Sequence, residues 1–157
     1  MVNTISSRRD AVALNRPATA SVKTLVRRSV DLRRLYVQAA AAAEPGLRVV
    51  LSDNAGTLDL LISDLQAQLR GIGLKPSEQG SWRGSAHRQL ADWLIHATPR
   101  NGLAWIRLLG HRESALLQAF EQAIASAPPE IALLLRRQLP RLRGIHLDMN
   151  SLAGATR

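Results

Sequence analysis

The sequence predicts an all-α fold, a four-helix bundle built from two helical hairpins that a long crossover joins. Apolar residues recur at every third or fourth position along four long stretches, which is the spacing of one helix face. Ala, Leu and Arg dominate the 157 residues and aromatic residues make up only 3%, a balance that favours helices over a β-sandwich. Nearly thirty residues separate the second stretch from the third, too many for a simple turn between antiparallel helices. A chain of this length is expected to form one domain.

The first hairpin consists of a predicted helix over residues 19–43 and a second over residues 45–70. Pro45 separates them, because a proline is tolerated in the first turn of a helix and not in its interior. Gly71 supplies the stop signal of the second helix. The stripe of the first helix contains Val22, Leu25, Ser29, Leu32, Tyr36, Ala40 and Ala43. The stripe of the second contains Leu47, Leu51, Asn54, Leu58, Leu61 and Leu65.

The second hairpin extends over residues 101–149, and its two helices meet at Pro128-Pro129. Two consecutive prolines end one helix and open the next. The third helix carries the stripe Leu103, Ile106, Gly110, Glu113, Leu117, Phe120 and Ile124. The fourth carries Ile131, Leu135, Gln138, Leu142, Ile145 and Met149. A carboxylate, Glu113, therefore lies in the middle of a mostly apolar stripe.

The connection between the hairpins contains a loop rich in Pro, Gly and Ser over residues 75–84 and a short predicted helix over residues 85–96. Ser85 is a suitable N-cap for this short helix. We expect Trp82, Trp93 and Trp105 to pack the crossover onto the bundle, because aromatic residues dominate such contacts. Two hairpins joined by a crossover of this length make the ferritin-like version of the four-helix bundle, in which the crossover runs along the length of the bundle.

Residues 24–153, more than four-fifths of the chain, resemble a bacterial family of ferritin-like four-helix-bundle proteins, a domain of unknown function. The segment Gly80-Ser81-Trp82-Arg83-Gly84-Ser85-Ala86-His87-Arg88, in its place between the second and third helices, is the most specific part of this resemblance. The other parts are Tyr36 with the Ala-rich run after it, Ile62-Ser63-Asp64-Leu65-Gln66, Arg112-Glu113-Ser114-Ala115-Leu116, Arg137-Gln138 and His146. The resemblance implies the ferritin-like fold and no particular activity.

In a ferritin-like bundle, four polar residues of the predicted helices would form a buried polar layer, Tyr36, Asn54, Glu113 and His146. Glu113 is the strongest candidate for a functional role, because a buried carboxylate without a partner is costly. It must find a hydrogen-bond partner, coordinate a metal or take up a proton. A Glu113 that is hydrogen-bonded to Tyr36 or His146 without any ligand is one interpretation, and a functional carboxylate is the other.

The ligand count argues against a di-iron centre. Di-iron carboxylate bundles use a Glu from each of two helices and a Glu-x-x-His motif from each of the other two. The first helix has no Glu before Glu44, and Arg33 stands three residues before Tyr36. The fourth helix has no Glu one turn before His146. We therefore expect no bound iron or other cofactor, and Glu113 and His146 remain weak candidates for a single-metal site.

Positive charge is concentrated near the N-terminus. Residues 1–34 carry a net charge of +6, out of +9 for the whole chain. We expect residues 1–18 to form a flexible basic arm and residues 19–157 to form the bundle domain. The candidate anion-binding residues are Arg8, Arg9, Arg16, Lys23, Arg27, Arg28, Arg33 and Arg34. They could attract nucleic acid or an acidic partner, or they could simply form a solvated surface.

The sequence leaves three functions open. The first is a non-catalytic structural or interaction protein, including one that forms homo-oligomers. The second is a nucleic-acid-associated protein that binds the phosphate backbone through the basic arm. The third is a metal-binding oxidoreductase. The chain has no cysteine, no apolar run of membrane-spanning length and no signal-peptide pattern, so we expect a cytoplasmic protein.

Overall fold

The computed structural model describes residues 16–71 and 102–155 of the chain. These residues form four α-helices and no strand, which confirms the all-α prediction for this part of the chain. The helices are α1 (Arg16–Ala42), α2 (Pro45–Gly71), α3 (Gly102–Ser126) and α4 (Pro129–Ala155). None of the four is both long and apolar enough to cross a membrane. The short helix and the loop predicted at residues 75–96, with Trp82 and Trp93, lie outside the described residues.

The four helices pack against each other as two hairpins. α1 packs on α2 and α3, while α4 packs on α3 and α2, so α1 lies diagonally opposite α4. The start of α3 lies beside the start of α2, because a Cβ atom on Gly102 would stand 3.2 Å from Leu47 Cδ2. Ala18 of α1 lines the same cavity as Ala123 and Pro128, so the start of α1 adjoins the turn between α3 and α4. Gly71 and Gly102 therefore lie at opposite ends of the packed helices.

The buried faces of α1, α2 and α4 are the stripes that the sequence predicts. Every stripe residue of α1 and α4 is buried, and in α2 only Leu47 is partly exposed. The buried face of α3 is rotated from the prediction and consists of Trp105, Ile106, Leu109, Glu113, Leu116 and Phe120. Consecutive leucines at 108–109 and 116–117 make the three-and-four spacing ambiguous, so packing decides which of each pair is buried.

The start of α1 differs from the prediction. The helix begins at Arg16, three residues earlier than predicted, with Pro17 in its first turn. Pro is well suited to this position because its missing N–H would have no helical partner there. Residues 16–18, which the sequence assigns to a flexible arm, are therefore helical. Residues 1–15, which include Arg8 and Arg9, lie outside the described residues.

Arg48 closes the turn between α1 and α2. Its Nε donates to the Ala40 carbonyl oxygen at 3.2 Å, and its Nη2 donates to the Ala43 carbonyl oxygen at 2.9 Å. The last carbonyl groups of a helix have no partner within the helix, so a side chain from the next element satisfies them here.

We expect Arg48→Ala to lower the free energy of unfolding by about 1–2 kcal/mol, because it removes two hydrogen bonds from a charged donor. Urea denaturation of the purified protein measures this change. Arg136→Ala removes another exposed arginine, from α4, and serves as the control. Equal stability of the two variants would show that the Arg48 cap contributes nothing beyond its charge.

Candidate functional site

Glu113 is the carboxylate that the sequence places in the apolar stripe of α3. Its residue surface is 2% exposed, and neither carboxylate oxygen has a hydrogen-bond partner within residues 16–71 and 102–155. An ionised carboxylate in such a position loses its hydration without compensation. The neutral acid is therefore strongly favoured over the anion.

His146 of α4 is a chargeable neighbour that the structure places against Glu113. The distance from His146 Nδ1 to Glu113 Oε2 is 3.7 Å, which is longer than a hydrogen bond. The second ring nitrogen, Nε2, lies 3.1 Å from Asn150 Nδ2. Because an amide nitrogen donates, Nε2 accepts, and the neutral ring carries its proton on Nδ1, the atom that faces Glu113. The His146 side chain is 27% exposed, so the pair lies between the interior and the surface.

The pKa of Glu113 is raised from 4.5 to about 9. Burial is the larger cause, because it disfavours the charged form, and the negative charge of Asp148 is the second. Asp148 follows His146 by two residues on α4. Glu113 is consequently a protonated, neutral acid near pH 7.

Tyr36 and Asn54 are buried in α1 and α2. The ion pair between Arg33 and Asp59 aligns the two helices, and both buried residues lie from it toward the turn between α1 and α2, at similar heights along the helix axes. Within the described ranges, the Tyr36 hydroxyl and Asn54 Nδ2 have no hydrogen-bond partner. Of the four residues predicted for the polar layer, the structure thus brings Glu113 and His146 into contact. No hydrogen bond joins the Tyr36 hydroxyl to either of them.

Tyr36 and Glu113 lie on two helices, α1 and α3, that pack against each other. Asp31 interacts with Arg112, so the backbone at Glu113 is level with the region near Asp31. Tyr36 is five residues further along α1, or roughly 7 Å at the rise of an α-helix. Side chains tilt toward the start of their own helix, and α1 and α3 are antiparallel, so these two side chains tilt toward each other.

Trp105 adds a buried polar atom that the sequence interpretation missed. It belongs to the buried face of α3, where it is 3% exposed, and the crossover that it is expected to pack onto the bundle lies outside the described residues. Its indole Nε1 has no hydrogen-bond partner among the described residues. Its place four residues before Leu109, on a stripe of α3, is the signal that could have revealed this position.

The residues of this site do not fit a metal centre. Within residues 16–71 and 102–155, no group of three or more His, Cys, Asp and Glu side chains could hold a metal ion. Among the residues that the structure describes, the buried polar ones are Ser29, Asn54, Glu113 and Gln138, and Glu113 is the only carboxylate of these four. Gln138 Oε1 accepts a hydrogen bond from Arg141 at 2.7 Å, and Arg141 also pairs with Asp64. A protonated acid beside one histidine lacks the several anionic oxygens that a di-iron centre requires.

The predicted anion-binding residues within the described part all lie on α1. Arg16, Lys23, Arg27 and Arg28 are exposed, whereas Arg33 and Arg34 are partly buried. Arg33 forms an ion pair with Asp59 of α2, which compensates its charge. Arg8 and Arg9 lie outside the described residues.

These features define an all-α protein of four packed helices with one buried carboxylate and no cluster of metal ligands in its described part. The model of a protein family, Domain of unknown function (DUF2383), matches residues 18–126, which is more than half of the chain, and the chain belongs to this family. The match includes α1, α2 and α3 with Glu113, while α4 with His146 lies beyond it. No curated protein and no solved structure matches the chain.

Proposed function

We propose that this protein is a ferritin-like bundle of non-catalytic function, a structural or interaction protein whose four described helices carry too few ligands for metal chemistry. The observation that carries the proposal is the state of Glu113. It is buried without a hydrogen-bond partner among the described residues, and its pKa is raised to about 9. A cytoplasmic location and self-association belong to the same proposal.

The helix arrangement supports the ferritin-like part of the proposal. α1 with α2 and α3 with α4 form antiparallel pairs, and α2 ends at the opposite end of the molecule from the start of α3. Gly71 and Gly102, the two ends that a crossover would join, therefore lie at opposite ends of the packed helices. A single long crossover between two hairpins is the connectivity of ferritin-like bundles.

The chemistry of the interior supports the non-catalytic part. Metal ions bind the deprotonated form of a carboxylate, so a ligand that keeps its proton up to about pH 9 binds cations weakly at pH 7. His146 adds one nitrogen at 3.7 Å from Glu113. Two further carboxylates, Asp59 and Asp64, are paired with the guanidinium groups of Arg33 and Arg141 at the edge of the interior, so both are already engaged.

We expect the full-length protein, purified from iron-supplemented cells without chelator, to contain less than one tightly bound iron per chain. Elemental analysis measures the content, and oxidation of added Fe²⁺ by O₂ or H₂O₂ should proceed at the rate of the buffer control. Glu113→Gln should give the same two results as the wild type. Two equivalents of iron per chain, lost in Glu113→Ala, would overturn the proposal.

A second candidate function, binding of nucleic acid, is favoured by the charge of α1. This helix contains six basic residues and one acidic residue, Asp31. In this reading, binding is sequence-independent and driven by phosphate contacts. It disappears when residues 1–18 are removed together with the charges of Arg27 and Arg28, whereas sequence-selective binding at physiological salt would contradict it.

A further inference from the structure

Charge is distributed unevenly over the four helices. α1 carries a net charge of +5, while α2, with two basic and three acidic residues, carries −1. On α1, Arg16, Lys23, Arg27 and Arg34 follow each other at intervals of seven, four and seven residues, so they form one line along the helix. This line spans roughly 27 Å, because an α-helix rises about 1.5 Å per residue. It is distinct from the buried stripe of α1.

α3 extends this basic surface. α1 packs beside α3, and Asp31 of α1 interacts with Arg112 of α3 as well as with Arg27 and Arg34. Arg27 and Arg112 are exposed, and Arg34 is partly buried. Burial raises the pKa of Asp31, although these three arginines act in the opposite direction. The two carboxylates of α3 do not offset the surface, because Glu113 is buried and Glu121 pairs with Arg143 of α4. We call this surface the basic face, defined by Arg16, Lys23, Arg27, Arg28, Arg34 and Arg112.

The surroundings of the basic face decide between the anionic partners. A helix that binds a membrane surface needs large apolar residues next to its basic ones. The exposed large hydrophobic residues of the described ranges lie on α2, on α4 and, for Val37, in the groove between α1 and α2. Single-stranded nucleic acid requires exposed aromatic side chains for base stacking. Tyr36, Trp105 and Phe120, the aromatic residues of the described part, are all buried.

We infer that the basic face binds the phosphate backbone of duplex nucleic acid without reading its sequence. A straight row of cations matches an extended polyanion, in which phosphates follow each other every ~1.7 Å along the helix axis. This inference rests on the proposed function, since it names the partner of a protein that binds rather than catalyses. It differs from binding through the N-terminal arm because it needs only α1 and α3.

The test compares two triple variants of the full-length protein that lose the same net charge. Lys23→Ala/Arg27→Ala/Arg28→Ala removes charge from the basic face, and Arg70→Ala/Arg136→Ala/Arg137→Ala removes exposed charge from α2 and α4. Circular dichroism and thermal melts confirm that both fold. Fluorescence anisotropy with a labelled 30-base-pair duplex of random sequence then gives Kd at several salt concentrations.

We expect the basic-face variant to bind at least about tenfold more weakly than the wild type at ~50 mM salt, with a shallower salt dependence. The control variant should change Kd less than twofold. Equal losses in both variants, no binding by the wild type at low salt, or tighter binding to phosphatidylserine vesicles than to the duplex would overturn the inference. The inference would also be overturned if deletion of residues 1–15 abolished duplex binding while the basic-face variant bound the duplex as tightly as the wild type. A negative result in this binding test does not change the expected iron content. The binding inference and the non-catalytic proposal can therefore be refuted independently.

Discussion

Glu113→Gln is expected to flatten the pH dependence of folding stability and to make the protein more stable than the wild type at neutral and alkaline pH. In the wild type, the unfolded chain releases the Glu113 proton above about pH 4.5, whereas the folded protein keeps it up to about pH 9. Folding therefore binds a proton in this window. The contribution of Glu113 to the free energy of unfolding is therefore highest below pH 4.5 and falls by about 1.4 kcal/mol per pH unit as the pH rises toward 9.

Urea denaturation at pH 5, 7 and 8.5 measures this effect. The difference between Glu113→Gln and the wild type should widen by several kcal/mol from pH 5 to pH 8.5. Glu121→Gln, at an exposed position on the same helix, is the matched control. Its free energy of unfolding should change with pH in the same way as that of the wild type. If the free energy of unfolding of Glu113→Gln also changes with pH as in the wild type, the folded protein holds Glu113 ionised. A cationic partner must then lie beside it.

Apolar replacements of Glu113 extend the same argument. Glu113→Leu should be tolerated and can stabilise by ~1–4 kcal/mol, because an apolar side chain of similar volume removes the desolvation cost. Glu113→Ala should be less stable than Glu113→Leu, because it opens a cavity. His146 Nδ1 and Glu113 Oε2 are 3.7 Å apart and form no hydrogen bond, so the coupling between Glu113→Leu and His146→Leu should lie at the low end of the ~0.5–3 kcal/mol found for residues in contact. A strong non-additive loss in the double variant would mean that the two residues form a required pair.

Helical periodicity carried most of the prediction of the fold. It identified the buried faces of α1, α2 and α4, where all the predicted stripe residues except Leu47 are buried. It was ambiguous for α3, where the spacing allows either Leu108 or Leu109 to face the interior. The packing of α3 against α1 and α4 buries Leu109. Contacts across a turn, such as Arg48 to Ala40, depend on the angle at which α2 leaves the turn. No local pattern encodes that angle.

The candidate site was predictable in composition and not in geometry. A carboxylate on an apolar stripe marks Glu113 directly, and the contact of Asn150 with His146 follows from their spacing of four residues on one helix. The distance of 3.7 Å between His146 and Glu113 depends on how α3 and α4 are rotated against each other. The basic face could not be predicted from the sequence either. Arg112 lies beside the basic residues of α1 because α3 packs on α1, and this packing is seen only in the structure.

Tyr36→Phe is expected to leave the fold unchanged and to keep or raise its stability. The Tyr36 ring is completely buried, and its hydroxyl has no hydrogen-bond partner among the described residues. A buried hydroxyl without a partner costs about 1–3 kcal/mol, and the variant removes this cost while keeping the ring. Tyr36→Ala should instead lose about 3–5 kcal/mol, because it removes the ring and leaves a cavity between the helices.

Thermal and urea denaturation of both Tyr36 variants, each also combined with Glu113→Gln, distinguish an inert core from a connected site. In an inert core, the effect of Tyr36→Phe is the same in the wild type and in Glu113→Gln. The two side chains tilt toward each other, so a bridging group between them would couple the substitutions. A loss of more than ~1 kcal/mol in Tyr36→Phe that vanishes in the Glu113→Gln background would reveal such coupling. Glu113 and Tyr36 would then form a shared polar site, and the non-catalytic proposal would lose its main support.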